Sequence, residues 1–270
     1  MAFYGCDFIF DGKSSATFDL MLYDVGSSNE DGKFETGGKI VEIRTAWRHS
    51  PLHYGVTRNN PLVFKITFGA NLERIDDGEY LTRSEMEEIA TWLTDYDDYK
   101  NLEIIQSDMN GIYYKCIITD LEYKTVGKYP WYFEATVTCD SPYAYYSTST
   151  YTYNFGTTPS VAFRNKSSSQ FYRPKLIITS SSSSANNSVT ITNTSDNNRQ
   201  FQITGIPAGN VVITVDNENE VITNNQGLNL YGNLTGFKFF RLVRGINNLI
   251  FSGANISIQI VCDFPVNIGS

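Results

Sequence analysis

Side chains able to do chemistry are sparse in this chain, and their spacing limits what they could do. Two histidines, His49 and His53, stand in Trp47-Arg48-His49-Ser50-Pro51-Leu52-His53. Histidine is the usual general base of a nucleophilic triad and a frequent metal ligand. A helix would align the two rings, but Pro51 argues against one, and no third ligand follows nearby. Paired carboxylates for glycoside hydrolysis could come from Asp76-Asp77-Gly78-Glu79 or from Asp95-Tyr96-Asp97-Asp98. Both groups flank a predicted helix in polar turns, where they read as solvated loop charges. Asp216-Asn217-Glu218-Asn219-Glu220 offers oxygens to calcium. It lacks the EF-hand spacing and its sixth-position glycine, so a hairpin turn is the better reading. Cys6, Cys116, Cys139 and Cys262 lie far apart without a CxxC pair and read as buried free thiols of a reducing compartment. Phosphate-loop, dinucleotide, zinc-protease and nucleophile-elbow patterns are all absent. The sequence therefore assigns no catalytic, cofactor-binding or metal-ligating residue and no cofactor, and the chain reads as a non-enzyme.

The elements around these residues fall into two halves of different character. The chain has 270 residues, 41% of them hydrophobic, 19% charged and 14% aromatic, a composition that can fill cores and leans towards β structure. Residues 1–142 hold 13 Lys and Arg against 24 Asp and Glu, a net charge of −11. Residues 143–270 hold 8 against 5, a net of +3. With a pI near 4.8, clustered phosphate contacts are not expected, so nucleic-acid binding is disfavoured. Solubility alone accounts for a net negative charge, and the acidity would also suit a conduit that DNA slides through, which gains from repelling phosphates. No secretory leader and no apolar run of membrane-spanning length stands out, which predicts a soluble chain made in a cytoplasm.

In the first half, Leu62, Phe64, Ile66 and Phe68 alternate with Val63, Lys65 and Thr67. Trp131, Phe133, Ala135, Val137 and Cys139 alternate with polar residues in the same way. Both patterns predict strands with one buried face. Thr82-Arg83-Ser84-Glu85 fits a capping box, and Met86, Ile89, Ala90 and Leu93 follow as one apolar stripe flanked by Trp92. The expected helix spans 83–94. Residues 143–150 read as a linker, introduced by Pro142 and rich in Ser and Thr. The domains are therefore 1–142 and 151–270. The second half offers short runs at Lys175–Thr179, Val189–Asn193, Gln200–Thr204, Val211–Val215, Phe237–Val243, Asn248–Phe251 and Ile256–Cys262. Breaks fall at Ser180–Asn187, Gly205–Gly209, Asp216–Glu220 and Gly245–Asn247. Such spacing predicts a β-sandwich. Within the Gly245 turn, Gly245 supplies a positive φ and Asn247 or Asn248 can bond back to the backbone.

Taken in order, these pieces resemble the distal tail proteins (Dit) of siphophages. The resemblance rests on Pro61-Leu62-Val63-Phe64-Lys65-Ile66-Thr67-Phe68-Gly69, on Leu81–Thr94 with Trp92-Leu93, and on Tyr99-Lys100-Asn101-Leu102. It continues through Phe133–Tyr145 and through Phe239-Phe240-Arg241-Leu242-Val243-Arg244-Gly245-Ile246-Asn247-Asn248-Leu249-Ile250, where the family often carries Pro in place of Arg244. The resemblance implies a mainly β protein with one α-helix in the first domain. That domain would be a β-sandwich or barrel-like, ring-forming tail-hub domain. The second would be an outward galectin-like or carbohydrate-module-like β-sandwich. A homohexameric ring is implied, joining the tail tube protein to a tail-associated tip protein, with receptor-binding or baseplate proteins as further partners. The implied location is the virion tail tip, after assembly in the host cytoplasm. The alternative is a carbohydrate-binding protein that stacks host-wall sugars on Tyr145, Tyr146, Tyr151, Tyr153, Tyr172 or Tyr231.

Overall fold

A computed structural model describes residues 7–25, 39–57, 61–71, 74, 80–107, 109–126, 129–183 and 186–267. Cys6, the Asp76–Glu79 cluster and Ser184 lie outside the described residues. The chain divides into two compact units, Met1–Tyr146 with Asn267–Ser270, and Ser147–Val266. It is mostly β, with one long helix among the described residues.

The first unit contains β1 (Phe8–Phe10), β2 (Lys13–Ser14), β3 (Leu20–Val25), β4 (Lys39–Ile43), β5 (Leu52–Thr57), β6 (Val63–Ala70), α1 (Arg83–Thr94), β7 (Lys100–Ile104), β8 (Ile112–Val126), β9 (Tyr129–Cys139) and β10 (Ala144–Tyr146). Its main sheet runs β2-β1-β7-β8-β9-β6-β3, with β10 also antiparallel to β8. The alternating residues decide which face is covered. Phe64, Ile66 and Phe68 of β6 and Phe133, Ala135 and Val137 of β9 are all buried, while Val63 is exposed.

Helix α1 closes that face. Thr82 Oγ1 accepts the Glu85 N–H at 3.3 Å and Glu85 Oε2 accepts the Thr82 N–H at 2.7 Å, so both halves of the capping box form. The buried face comprises Ile89, Trp92 and Leu93, while Met86 and Ala90 are half-buried. This corrects the expected stripe, in which Trp92 only flanked. The rotation follows from Trp92 itself, whose ring stacks on Phe8 with centroids 5.7 Å apart. Its indole N–H donates to the Phe10 carbonyl at 3.2 Å, which satisfies the polar end of a buried aromatic. On the other edge, β6 and β9 approach closely at Gly69, where a Cβ would lie 2.4 Å from the Trp131 carbonyl oxygen.

The second unit contains β11 (Ser149–Asn154), β12 (Ser160–Asn165), β13 (Phe171–Tyr172), β14 (Lys175–Ser180), β15 (Asn187–Asn193), β16 (Arg199–Ile206), β17 (Val211–Asp216), β18 (Val221–Asn224), β19 (Leu242–Val243), β20 (Gly245–Ser252), β21 (Ile256–Cys262) and β22 (Pro265–Val266). One sheet runs β11-β21-β14-β17-β18 and the other β12-β20-β15-β16. Aromatics bridge the two sheets. Tyr151 meets Phe163 edge-on with centroids 5.0 Å apart, and Tyr153 stacks on Phe251 at 5.6 Å. This is a β-sandwich.

The expected linker, residues 143–150, carries β10 and the start of β11. Alternation of Tyr151, Tyr153 and Phe155 is the signal that the Ser and Thr residues obscured. Two local expectations further on are corrected. Phe237–Val243 is not one strand: Gly236 (φ 69°) and Phe237 (φ 50°) are left-handed, and only Leu242–Val243 pairs. Gly245–Asn247 does not break a strand but begins β20, with Gly245 at φ 88° opposite Asn165.

Candidate functional site

The side chains that could do chemistry are scattered across separate elements. His49 and His53 lie on the loop and second strand of the β4–β5 hairpin, both exposed. His53 stands opposite Glu42 across the two strands, and no third ligand joins them among the described residues. Among the described residues, no group of three His, Cys, Asp or Glu side chains could hold a metal ion.

Asp95, Asp97 and Asp98 follow the end of α1, all exposed. Asp216 closes the β17–β18 turn, its Oδ1 accepting the Glu218 and Asn219 N–H groups at 3.1 and 3.0 Å. Those bonds occupy the oxygens that a cation would need. Burial pushes the Asp216 carboxyl up, but the hydrogen bonds outweigh it and hold the group below the ordinary range.

Cys116, Cys139 and Cys262 are buried free thiols, and Cys116 faces Cys139 across β8 and β9. Burial pushes all three up, Cys139 and Cys262 to about 12, so none is an available thiolate at neutral pH.

The aromatics considered for sugar stacking are largely spent on the protein itself. Tyr145 stacks on Tyr113, and its hydroxyl donates to the Asp140 carboxylate at 3.1 Å. Tyr151 and Tyr153 bridge the sandwich. Tyr172 packs on Phe264, and Tyr231 on Phe239 while its hydroxyl donates to the Glu220 carbonyl. Only Tyr146 has no ring partner shown. A polar concavity of about 300 Å³ lies instead around Asp196, Arg199, Lys238 and Arg241. Its floor is fixed by Arg241, which donates to Asp196 at 2.7 and 3.0 Å.

What the second unit builds with care is a scaffold of buried asparagines, of which the sequence pattern points only to Asn247 or Asn248 as bonding back to the backbone. Asn247 is fully buried. Its Oδ1 accepts the Val243 N–H at 2.9 Å and Asn193 Nδ2–H at 2.8 Å. Its Nδ2 donates to the carbonyls of Val243 and Gly245 at 2.9 and 3.1 Å. Asn217, also fully buried, accepts the Phe240 N–H at 2.8 Å and donates to the Pro174 carbonyl. Asn165 Nδ2 donates to the Val243 carbonyl at 3.0 Å. Together they pin the irregular 239–247 segment, satisfying backbone groups of Phe240, Val243 and Gly245 where the short pairings of Leu242–Val243 and Gly245–Asn247 do not.

Two features stand out on the surface of the first unit. The β4–β5 hairpin pairs with no other strand among the described residues and exposes Ile40, Ile43, Trp47 and Tyr54. A groove of about 620 Å³ runs along α1 between Phe18, Trp92 and Tyr96 and is rimmed by Glu87, Glu88 and Asp95. No helix is long and apolar enough to cross a membrane among the described residues.

Comparisons with known proteins place the chain among phage tail proteins. Residues 3–141 match the family described as phage tail protein N-terminal domain, and residues 143–262 the phage tail C-terminal domain. No curated protein sequence matches the chain. Among solved structures, the Dit (gp 19.1) protein of phage SPP1 is similar over 96% of this chain and 98% of that one. Its TM-score is 0.65 at 12% identity, and it is described as a paradigm of the hub adsorption apparatus of phages infecting Gram-positive bacteria. A chain of the phage P2 baseplate, in its activated conformation with calcium, matches over 96% of this chain and 99% of its own. Its TM-score is 0.49 at 9% identity.

Proposed function

From the premise that this chain belongs to the phage tail protein family matched by both of its domains, we propose that it is the distal hub of the tail. In this reading it is a structural component of the virion. Six copies form a ring that joins the tail tube to the tip and the host-recognition apparatus. The first unit supplies the ring and the second unit projects from it. The tail tube protein and a tail-associated tip protein are the neighbours on the two faces. Receptor-binding or baseplate proteins attach further out, and assembly takes place in the host cytoplasm.

The observation that carries the reading is end-to-end correspondence with the SPP1 hub fold, in a chain whose two units each match a phage tail domain. Chemistry supports the same side. Asp95, Asp97 and Asp98 are exposed, Asp216 is hydrogen-bonded in a turn, the described thiols are buried, and no described residues converge as nucleophile, base and oxyanion donors. Sugar recognition by residues 151–270 is the weaker reading, because its candidate tyrosines are packed against other rings. A ring assembled head-to-tail requires two different patches on each copy, and the exposed apolar residues of the β4–β5 hairpin suit one of them.

Immunogold labelling of virions with an antibody against this chain tests the assignment. Label confined to the distal end of the tail is expected. Label along the tube or on the head, or no label on intact virions, would refute it.

A further inference from the structure

The polar concavity of the second unit gathers more positive charge than the chain neutralises. It holds about 300 Å³ and is lined by the Asp196–Gln200 segment together with Lys238 and Arg241. Three cations meet one carboxylate there, a net of +2. That carboxylate is already taken. Arg241 forms a two-pronged ion pair with Asp196 at 2.7 and 3.0 Å. The same guanidinium lies 4.0 Å from the Phe171 ring centroid, a second contact that holds it in place.

The other two cations have no such partner. Arg199 spends Nε and Nη2 on one neutral acceptor, the Phe239 carbonyl, at 3.4 and 3.2 Å. Lys238 is exposed, and among the described residues neither it nor Arg199 makes an ion pair. Burial, and then the charge of Arg241 beside it, hold Arg199 below the ordinary arginine range. An anion seated among these groups would relieve that repulsion.

The turn that carries Arg199 adds neutral groups able to bond oxygen. The Arg199 N–H donates to the Asp196 carbonyl at 2.9 Å, and Asn197 (φ 52°) and Asn198 (φ 55°) between them are both left-handed. Asparagine is one of the few residues that tolerates that backbone, and here it brings two exposed carboxamides to the rim. Phe237, the residue before Lys238, is 72% exposed, so an open aromatic ring stands next to the free lysine in the chain.

We propose that this concavity binds a phosphate group, with Arg199 and Lys238 supplying the charge and Arg241 held in position by Asp196. A phosphate monoester carries close to two negative charges at neutral pH, its second pKa being about 6, which matches the net of +2. A single carboxylate would answer half of it. The space takes a phosphate and the small group that carries it, and the carboxamides of Asn197 and Asn198 suit hydroxyls on that group. The site lies wholly within the second unit and does not depend on the hub reading.

Isothermal titration calorimetry on the full-length protein at low ionic strength tests this with three probes: inorganic phosphate, glucose 6-phosphate and succinate. Both phosphates should bind, and succinate roughly tenfold more weakly. Tighter binding of glucose 6-phosphate assigns the site to a phosphate borne on a polyol, and equal binding assigns it to the free ion. Lys238→Ala and Arg199→Gln should each weaken phosphate binding roughly tenfold. Lys166→Ala removes an exposed lysine of the same unit outside the concavity and should change nothing. Arg199 is half-buried, so melting of its variant is checked first, and the exposed Lys238 carries the test alone if Arg199→Gln unfolds. The charged groups facing the site are Asp196, Arg199, Lys238 and Arg241, with Arg173 beside them paired to Glu220. Affinity should fall as the pH is lowered from about 7 to about 5, where phosphate gains its second proton. Absence of phosphate binding, an equal loss in Lys166→Ala, or no change in Lys238→Ala would overturn the proposal. Succinate binding as tightly as phosphate would overturn it in favour of an acidic protein partner.

Discussion

Asn247 is the residue whose removal the structure prices most clearly. Asn247→Ala deletes four hydrogen bonds from a fully buried side chain. Not all of the loss is uncompensated. The Val243 carbonyl keeps its bond from Asn165 at 3.0 Å, and Asn193 Nδ2 keeps a long contact to the Arg241 carbonyl at 3.4 Å. The Val243 N–H loses the acceptor that its side-chain partner supplied. One orphaned buried donor costs about 1–3 kcal/mol, and the remaining net bonds about 0.5–1.5 kcal/mol each. With partial compensation, the unfolding free energy of the second unit should fall by roughly 2–4 kcal/mol. Asn248→Ala is the matched control, because Asn248 is exposed and only its backbone is bonded, to Ser195 Oγ at 3.0 Å. It should change stability by less than about 0.5 kcal/mol. Urea melts followed by circular dichroism on both variants make the comparison. Equal costs for the two, or an Asn247→Ala loss under about 0.5 kcal/mol, would refute the view that buried asparagines pin the 239–247 segment.

The remaining predictions use the same kind of measurement. Thr82→Ala should cost roughly 0.5–2 kcal/mol through the lost cap, and Leu93→Ala more, about 2–5 kcal/mol, because Leu93 is buried under the sheet; the reverse order in denaturant melts would contradict the placement of α1. Hydrogen bonds from Arg241 hold the Asp196 carboxyl below its ordinary range, so its contribution is complete above that range and is lost as pH falls through the folded value. Asn substituted for Asp196 should therefore be less stable than wild type at neutral pH, with the gap closing below about pH 4, and a pH-independent gap would count against the ion pair. In a Cys6→Ser background, Cys116, Cys139 and Cys262 should resist a thiol reagent at pH 8 until the protein is denatured, since burial raises all three; rapid native labelling would show that the cores open.

How far the fold could be read in the sequence depended on whether the information was local. The cap of α1 was legible because Thr82 and Glu85 bond within one turn. The strands β6 and β9 were legible because one face is covered and the other is not, which leaves a period of two. The Trp92 face was misjudged because its burial depends on Phe8 and Phe10, more than 80 residues away. The strand β11 was hidden by its Ser and Thr residues, whose outward face says nothing about the Tyr side chains pointing in. The Gly245 turn offered Asn247 or Asn248 equally. Only packing against Asn193, from another strand, selects Asn247. The exposed β4–β5 hairpin and the α1 groove could not be read in the sequence, because exposure is a property of the folded chain.

Negative-stain imaging of the purified full-length protein, together with its native mass, tests the central claim most directly. The account predicts closed rings of six copies, with a native mass six times that of the chain. A monomer, or an assembly of another stoichiometry, at every concentration examined would contradict it.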